Sequence, residues 1–445
     1  MVLSWSRRRV FRRARKGKDV PGPAGASDLD VDVEVLVPTH FRCPITLDLM
    51  KDPVTLSTGI TYDRDSIEKW VESGNQTCPV TNQSLISFDV IPNHAIRRMI
   101  QEWCVEHRSY GIERIPTPRI PVTQYEVSDI CGKIMSATQR GDDNKCQQLV
   151  AKIKIWGRES ERNKKCIVEN GAAVALANAF SSFSSASIEK NVGLLDEILG
   201  LLTWILPKRQ DGYSQIQAQS LLSSEASLSC MVWFLNSKDL SSRQNAALVL
   251  KQVPVEPLAK TEGMIEALVK MIKEPVGPSA TKACLKAIFQ MVSSSNEKER
   301  IIKRCVELSL VMLLLEALVD GDRGTSEKAL GTLDCICDYG EGKEVAKANM
   351  LTLPIVVKKI LRVSGLASDF GVSILWKLCD KMEETVVKEA LQVGAFQKVL
   401  VLLQVGCGEN TKGKATDLLK LLNAYKNTVE CVDSSLDLKY LKKPF

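Results

Sequence analysis

The chain has 445 residues, enough for two or three ordinary domains or for one domain followed by a long repeat array. Apolar residues at 44% and charged residues at 25% exclude wholesale disorder, and aromatics at only 5% disfavour a Trp- and Tyr-rich β-sandwich or propeller. His40, His94 and His107 are the only histidines, so no histidine-based triad or imidazole-rich zinc site can form from Cys131 onward.

Residues 1–30 are expected to be a disordered basic lead. Arg7, Arg8, Arg9, Arg12, Arg13, Arg15, Lys16 and Lys18 supply +8, so the remainder of a chain of net charge +6 carries −2. A nearly neutral body disfavours nucleic-acid binding. The basic run itself suits nuclear import or contact with an anionic membrane surface. It continues into further basic residues and not into an apolar segment, so it does not read as a signal peptide. Cysteines such as Cys284, Cys305 and Cys379 sit singly inside apolar helical patterns, as free thiols do in a reducing compartment. The longest apolar run, residues 305–319, holds Glu307 and Glu316 and is too short to span a bilayer. These readings predict a soluble, cytoplasmic protein, with nuclear residence left open by the lead.

Residues 37–111 carry mixed strand and helix signals. Asp52-Pro53 and Ser57-Thr58-Gly59 mark turns around a short hairpin containing Val54, Leu56 and Ile60. Asp65 and Glu68 have capping-box spacing, Ile67, Trp70 and Val71 form one helix face, and Gly74 ends that helix. Asn93 is placed to cap a last helix whose Ile96, Met99, Ile100 and Trp103 lie on one stripe.

The motifs Cys43-Pro44-Ile45, Asp52-Pro53-Val54, Gly59-Ile60-Thr61-Tyr62-Asp63-Arg64, Cys78-Pro79-Val80-Thr81 and Ile91-Pro92-Asn93 follow one another along this stretch. It resembles the U-box, the zinc-free relative of the RING domain in ubiquitin ligases. A RING needs paired thiolates on zinc, but here the pairs are Cys43/Thr46 and Cys78/Thr81, each short of one thiolate. No metal or other cofactor is expected. The resemblance implies that the module carries no catalytic residue and forms no covalent intermediate. It docks a ubiquitin-conjugating enzyme charged with donor ubiquitin and positions the thioester for a substrate lysine, as a RING-type ubiquitin transferase does. Carried over by motif position, Pro44, Ile45 and Leu47 belong to the first docking loop, Trp70 to the central helix and Pro79 to the second loop. Asn82 stands where many such ligases place a long basic residue that touches donor ubiquitin. Cys43 and Cys78 are the thiols nearest the docking loops, but neither sits in a basic cluster that lowers a thiol pKa.

Pro116, Pro118 and Pro121 mark residues 112–124 as an extended linker. From 125 to 425 the pattern is helical and periodic, and residues 426–445 form a C-terminal tail. Ala246, Ala283, Ala329, Gly371 and Ala415 recur in corresponding places at spacings of 37, 46, 42 and 44. Gly171, Gly263 and Gly394 form a second series, 92 and 131 residues apart, close to two and three units of about 44. Two series at one period predict a repeat array of about six units, the one near 209–230 being poorly formed. This array resembles armadillo repeats, in which neighbouring helix triplets stack to bury apolar faces that one triplet leaves open.

The expected fold is therefore mainly α: a small α+β U-box followed by an α-solenoid of armadillo repeats. That order of parts resembles the plant U-box/armadillo-repeat ubiquitin ligases, whose short-chain branch is linked to stress and defence signalling. The resemblance implies that the solenoid holds the protein substrate, through polar residues early in its third helices: Arg243, Asn245, Lys282, Lys286, Lys328 and Lys414. Self-association is left open. The competing reading is an armadillo adaptor or scaffold with a silent U-box. An importin-like groove is disfavoured, because Trp204, Trp233 and Trp376 are followed four residues on by Lys208, Ser237 and Asp380 where that groove needs asparagine.

Overall fold

The computed structural model describes residues 36–115, 121–207, 212–379 and 383–426. The basic lead, Pro116 and Pro118, Lys208, Asp380 and the tail from 427 onward lie outside the described residues. The chain divides between Ile120 and Pro121 into two compact units.

The first unit is built on a three-stranded antiparallel sheet of order β2-β1-β3, with β1 (Pro53–Thr55), β2 (Thr61–Asp63) and β3 (Ile91–Pro92). Val54 pairs with Tyr62 on one side and Pro92 on the other. The expected hairpin turns at Gly59, whose φ of +77° is the left-handed conformation that glycine adopts without a Cβ clash. Helix α1 (Arg64–Glu72) follows β2 directly, and α2 (His94–Glu106) closes the unit. Asn93 caps α2 as expected, its Oδ1 accepting the Ile96 N–H at 3.0 Å, a bond worth about 1 kcal/mol. The Asp65–Glu68 capping box does not form. Asp63 occupies the N-cap and turns its carboxylate back to accept the N–H groups of Lys51 and Asp52, both at 2.8 Å. Phe41, Met50, Val54, Tyr62, Ile67, Ile100 and Trp103 make the core. Met99, placed on the stripe by spacing, is exposed, and Cys104 is buried in its stead. Ile112 and Ile115, reckoned to the linker from sequence, are buried in this core as well.

The second unit is entirely helical among its described residues. A leading pair, α3 (Gln124–Gln139) and α4 (Asp143–Glu159), precedes six triplets. The first two triplets are α5 (Glu161–Glu169), α6 (Ala172–Ala186) and α7 (Ile188–Ile205), then α8 (Gly212–Leu222), α9 (Glu225–Leu235) and α10 (Leu240–Leu250). The third and fourth are α11 (Val255–Lys260), α12 (Met264–Lys273) and α13 (Pro278–Ser294), then α14 (Lys298–Glu307), α15 (Leu310–Asp320) and α16 (Arg323–Ile336). The last two are α17 (Gly340–Ala348), α18 (Thr352–Lys359) and α19 (Gly365–Leu378), then α20 (Glu384–Gln392), α21 (Ala395–Val405) and α22 (Glu409–Tyr425). The third helices α7, α10, α13, α16, α19 and α22 pack on one another in sequence, with α4 ahead of them.

Both sequence series have a physical cause here. Ala246, Ala283, Ala329, Gly371 and Ala415 are all buried on third helices, and a Cβ on Gly371 would come within 2.8 Å of Ile360. Gly171, Gly263 and Gly394 open the second helices α6, α12 and α21 with φ between +72° and +84°. Ser309 does the same for α15 at φ +57°, which is why the glycine series breaks there. Among the described residues no helix is long and apolar enough to cross a membrane.

Candidate functional site

Two loops of the first unit are built alike. In the first, Cys43 donates its N–H to Asp48 (2.9 Å) and its carbonyl accepts from Leu47 (2.8 Å). In the second, Cys78 donates to Gln83 (2.9 Å) and accepts from Asn82 (2.9 Å). Each loop reads Cys-Pro-x-Thr and then turns through a left-handed residue, Leu47 at φ +62° and Asn82 at φ +56°. Asparagine tolerates that conformation; for a leucine it is strained by roughly 1–2 kcal/mol. Asn82 thus has a backbone reason to be there, apart from any contact with donor ubiquitin, and its side chain is exposed.

Neighbouring residues of β2 anchor both loops. The Asp63 N–H donates to the Cys43 sulfur at 3.3 Å, and the Tyr62 hydroxyl lies 3.0 Å from the Cys78 sulfur. Thr58 Oγ1 donates to the same sulfur at 3.4 Å. From α1, the Trp70 indole N–H donates to the Thr77 carbonyl at 2.8 Å, bracing the entry to the second loop. Beneath the sheet, Asp52 joins two arginines: Arg64 at 2.7 Å, with Arg97 on its other oxygen. Asn93 adds bonds from Nδ2 to the Thr55 and Thr61 hydroxyls at 3.2 and 3.3 Å. The framework is a set of short polar bridges around a small core.

This framework presents apolar groups to solvent. Leu47 is 63% exposed and Pro44 is exposed, while Ile45, Trp70 and Pro79 are half-buried on the core below. Val80, 51% exposed beside Pro79, belongs to the same surface and was missed from sequence. Its signal was its register: it matches Ile45 in the Cys-Pro-x-Thr repeat.

Enclosure, and not electrostatics, separates the thiols from the chemistry of a nucleophile: the Cys78 pKa is lowered by hydrogen bonds although no basic cluster stands beside it. Burial by itself raises the Cys78 thiol, yet hydrogen bonds from Thr58, Thr81 and Tyr62 outweigh it and bring the pKa down to about 6. The same sulfur is fully enclosed, as is that of Cys43, so neither offers an attacking face. Burial, helped by the hydrogen bond to Cys78, holds the Tyr62 hydroxyl well above its ordinary range. Burial likewise raises the Asp63 carboxyl against its two N–H donors. Among the described residues no three His, Cys, Asp or Glu side chains gather as a metal site requires.

In the second unit the six groove candidates separate. Arg243 is only 7% exposed; it donates to the Met271 sulfur (3.3 Å) and the Glu274 carbonyl (3.2 Å), so it is a packing residue and no part of an open face. Lys282 pairs with Asp322 across to α16 at 3.0 Å. Lys414 donates to Ser373 at 2.8 Å and lies 5.6 Å above the Trp376 ring. Lys286, Lys328 and Asn245 are half-buried on the third-helix face. Trp233 lies on α9, a second helix, so it was never in register with Trp204 on α7 and Trp376 on α19.

A small loop-bearing α+β module followed by an armadillo-type helical array defines a class of two-part proteins. Residues 37–109 match the U-box domain, and residues 126–442 match the plant U-box protein ARM repeat region. The chain belongs to the plant U-box proteins with an ARM repeat region. It is 48% identical to U-box domain-containing protein 21 of Arabidopsis thaliana, over 98% of this chain and 99% of that protein. Identity to U-box domain-containing protein 20 of the same plant is 45%, over 93% and 94%. A relative at 33% identity, over 92% of this chain and 98% of its own length, is named E3 ubiquitin-protein ligase PUB23, also of Arabidopsis thaliana.

Proposed function

We propose that this chain is a ubiquitin ligase that works by docking. The apolar tips of the two loops bind a ubiquitin-charged conjugating enzyme, and the third-helix face of the array holds the protein to be modified. The observation that carries this reading is Leu47: a leucine held left-handed and 63% exposed in a loop closed by backbone hydrogen bonds. Local strain of that kind persists where a surface is kept for a partner. The enclosed sulfurs of Cys43 and Cys78 support transfer directly from the conjugating enzyme to the substrate lysine, with no covalent intermediate on this chain. The module's contribution is then positional, converting an encounter between thioester and lysine into a held geometry. Membership of the plant U-box family and the name of the relative PUB23 support the same activity. Cytoplasmic residence rests on the cysteine usage and the basic start of the sequence, and a place in stress and defence signalling on the resemblance alone.

The test is a purified reaction with activating enzyme, a panel of conjugating enzymes and ubiquitin. Ubiquitin chains should form with the wild-type chain and fall strongly with Ile45→Ala, whose melting profile should stay close to wild type. Trp70→Ala should lose both activity and stability, since its indole packs on the core and ties the second loop. No chain formation by folded wild-type protein across the whole panel would leave the silent-U-box scaffold as the reading.

A further inference from the structure

The exposed face of the third helices carries a cluster that the docking reading does not use. Lys251, the residue just past the end of α10, Lys286 in α13 and Lys328 in α16 lie on or next to three successive third helices. Among the described residues none of the three forms an ion pair. The nearby acids are already engaged: Asp322 with Lys282 at 3.0 Å, and Glu327 with Arg323 at 3.1 Å. The Lys286 ammonium is held below its ordinary value by burial first, and then by the charges of Lys251 and Lys328. Lys328 shares the nearby Glu327 carboxylate with Arg323, while Lys251 and Lys286 have no carboxylate paired to them among the described residues. Like charges left together raise the energy of the unliganded protein, and an arriving anion relieves it.

Beside the lysines lies an aromatic floor. Phe289 of α13 meets Phe370 of α19 edge to face, with centroids 5.9 Å apart. It reaches across α16 because Gly331 leaves room; a Cβ there would stand 2.5 Å from the Phe289 ring. The Lys328 ammonium sits 5.6 Å over the same ring. Further along the face Trp376 is 44% exposed under Lys414.

We propose that this face binds an extended segment of a partner protein bearing a phosphorylated side chain, the phosphoryl group lying among Lys251, Lys286 and Lys328 and a neighbouring apolar side chain resting on Phe289 and Phe370. A single carboxylate balances one lysine and leaves two opposed. A phosphoryl group brings close to two charges and three acceptor oxygens to one place, which suits ammonium groups carried on neighbouring third helices that pack on one another. The aromatic floor favours a peptide over a free anion, because a free anion has nothing to bury there. This inference rests on the reading of the array as the substrate-holding part and names the class of segment it selects.

The experiment uses the full-length chain and a labelled peptide library with a fixed central phosphoserine and random flanks. The matching serine library and inorganic phosphate are the controls. The phosphoserine pool should bind at least about tenfold more tightly than the serine pool, and this preference should weaken as salt rises. Replacing Lys251, Lys286 and Lys328 together by Gln should abolish the preference while the melting profile stays close to wild type. Phe289→Ala should weaken the selection for apolar flanking residues. Equal binding of the two pools, or an unchanged preference in the triple variant, would overturn the proposal. So would full competition by inorganic phosphate at peptide concentrations, which would define a small-anion site. If a selected peptide binds through the lysines but does not direct ubiquitination of a protein fused to it, the phosphopeptide site stands and the substrate-holding reading fails.

Discussion

Leu47 gives the sharpest test of the docking face, because stability and activity should move in opposite directions. Replacing it by Gly removes a left-handed non-glycine residue at φ +62°. That relief is worth roughly 1–2 kcal/mol in the folded state, offset by about 0.5–1 kcal/mol for the added freedom of glycine in the unfolded chain. At 63% exposure the side chain contributes little to the core. The net change for folding should be between zero and a gain of about 1.5 kcal/mol, raising the melting point of a module this size by up to roughly 6–12 °C.

Docking should respond the other way. A central apolar anchor at an interface is worth about 2 kcal/mol or more, so chain formation at sub-saturating conjugating enzyme should fall about 30-fold. Leu47→Asn should match Gly in both respects, since Asn also accepts the left-handed conformation. The assay is the initial rate of ubiquitin chain formation, run beside amide-exchange protection of residues 41–50 in the full chain. A wild-type rate in Leu47→Gly would refute the docking role. Lost protection in the loop would refute the claim that the leucine is strained.

Three further outcomes follow from the structure. Prolonged chelation should leave both the melting profile and ubiquitin chain formation unchanged, because hydrogen bonds engage the sulfurs of Cys43 and Cys78; one or more zinc ions per chain by elemental analysis would contradict this. Folding lowers the Cys78 thiol to about 6, so the stability from its anionic form is present above the unfolded thiol range near 8.5 and is lost as pH falls through about 6. The first unit should therefore melt higher at pH 8 than at pH 6 by a margin that shrinks in Cys78→Ala, and an identical margin would remove the hydrogen-bonded thiolate from the account. Gly331→Ala should cost about 1–3 kcal/mol and move Phe289 off Phe370, because the new Cβ would lie 2.5 Å from the ring; calorimetry and the phosphopeptide preference report the two effects separately.

The repeat array was legible because its constraint recurs. Five of the six third helices carry a small buried residue where a neighbour packs, and α6, α12 and α21 each open on a left-handed residue, so both constraints print a period into the sequence. The paired loops were legible for a related reason: each holds a buried Cys whose backbone closes a tight turn at the same place in a Cys-Pro-x-Thr repeat. What escaped the sequence has no such repetition. Strand β3 is two residues long, below any alternation signal. Lys251 lies just past the end of α10, outside the helical register that marked the other lysines. Arg243 was assigned to the open face by its place near the start of a helix, but three residues before Ala246 the side chain points to Met271 of α12 and not to solvent.

The two loops show how one motif can carry two different demands. Their hydrogen-bond patterns are the same, so the left-handed residue is dictated by the turn and not by a partner. In the second loop the turn receives Asn, the residue best suited to it after glycine, and the basic residue common in related ligases is absent. In the first loop the same position holds Leu, a choice the backbone resists. Where the turn alone decides, the sequence follows the turn; where it departs, something outside the module has to account for the departure. An apolar surface on a partner would do so, and under the docking proposal the discriminating contact with the conjugating enzyme falls on Leu47 and its neighbours Pro44 and Ile45, with Val80 and Pro79 completing the face from the second loop.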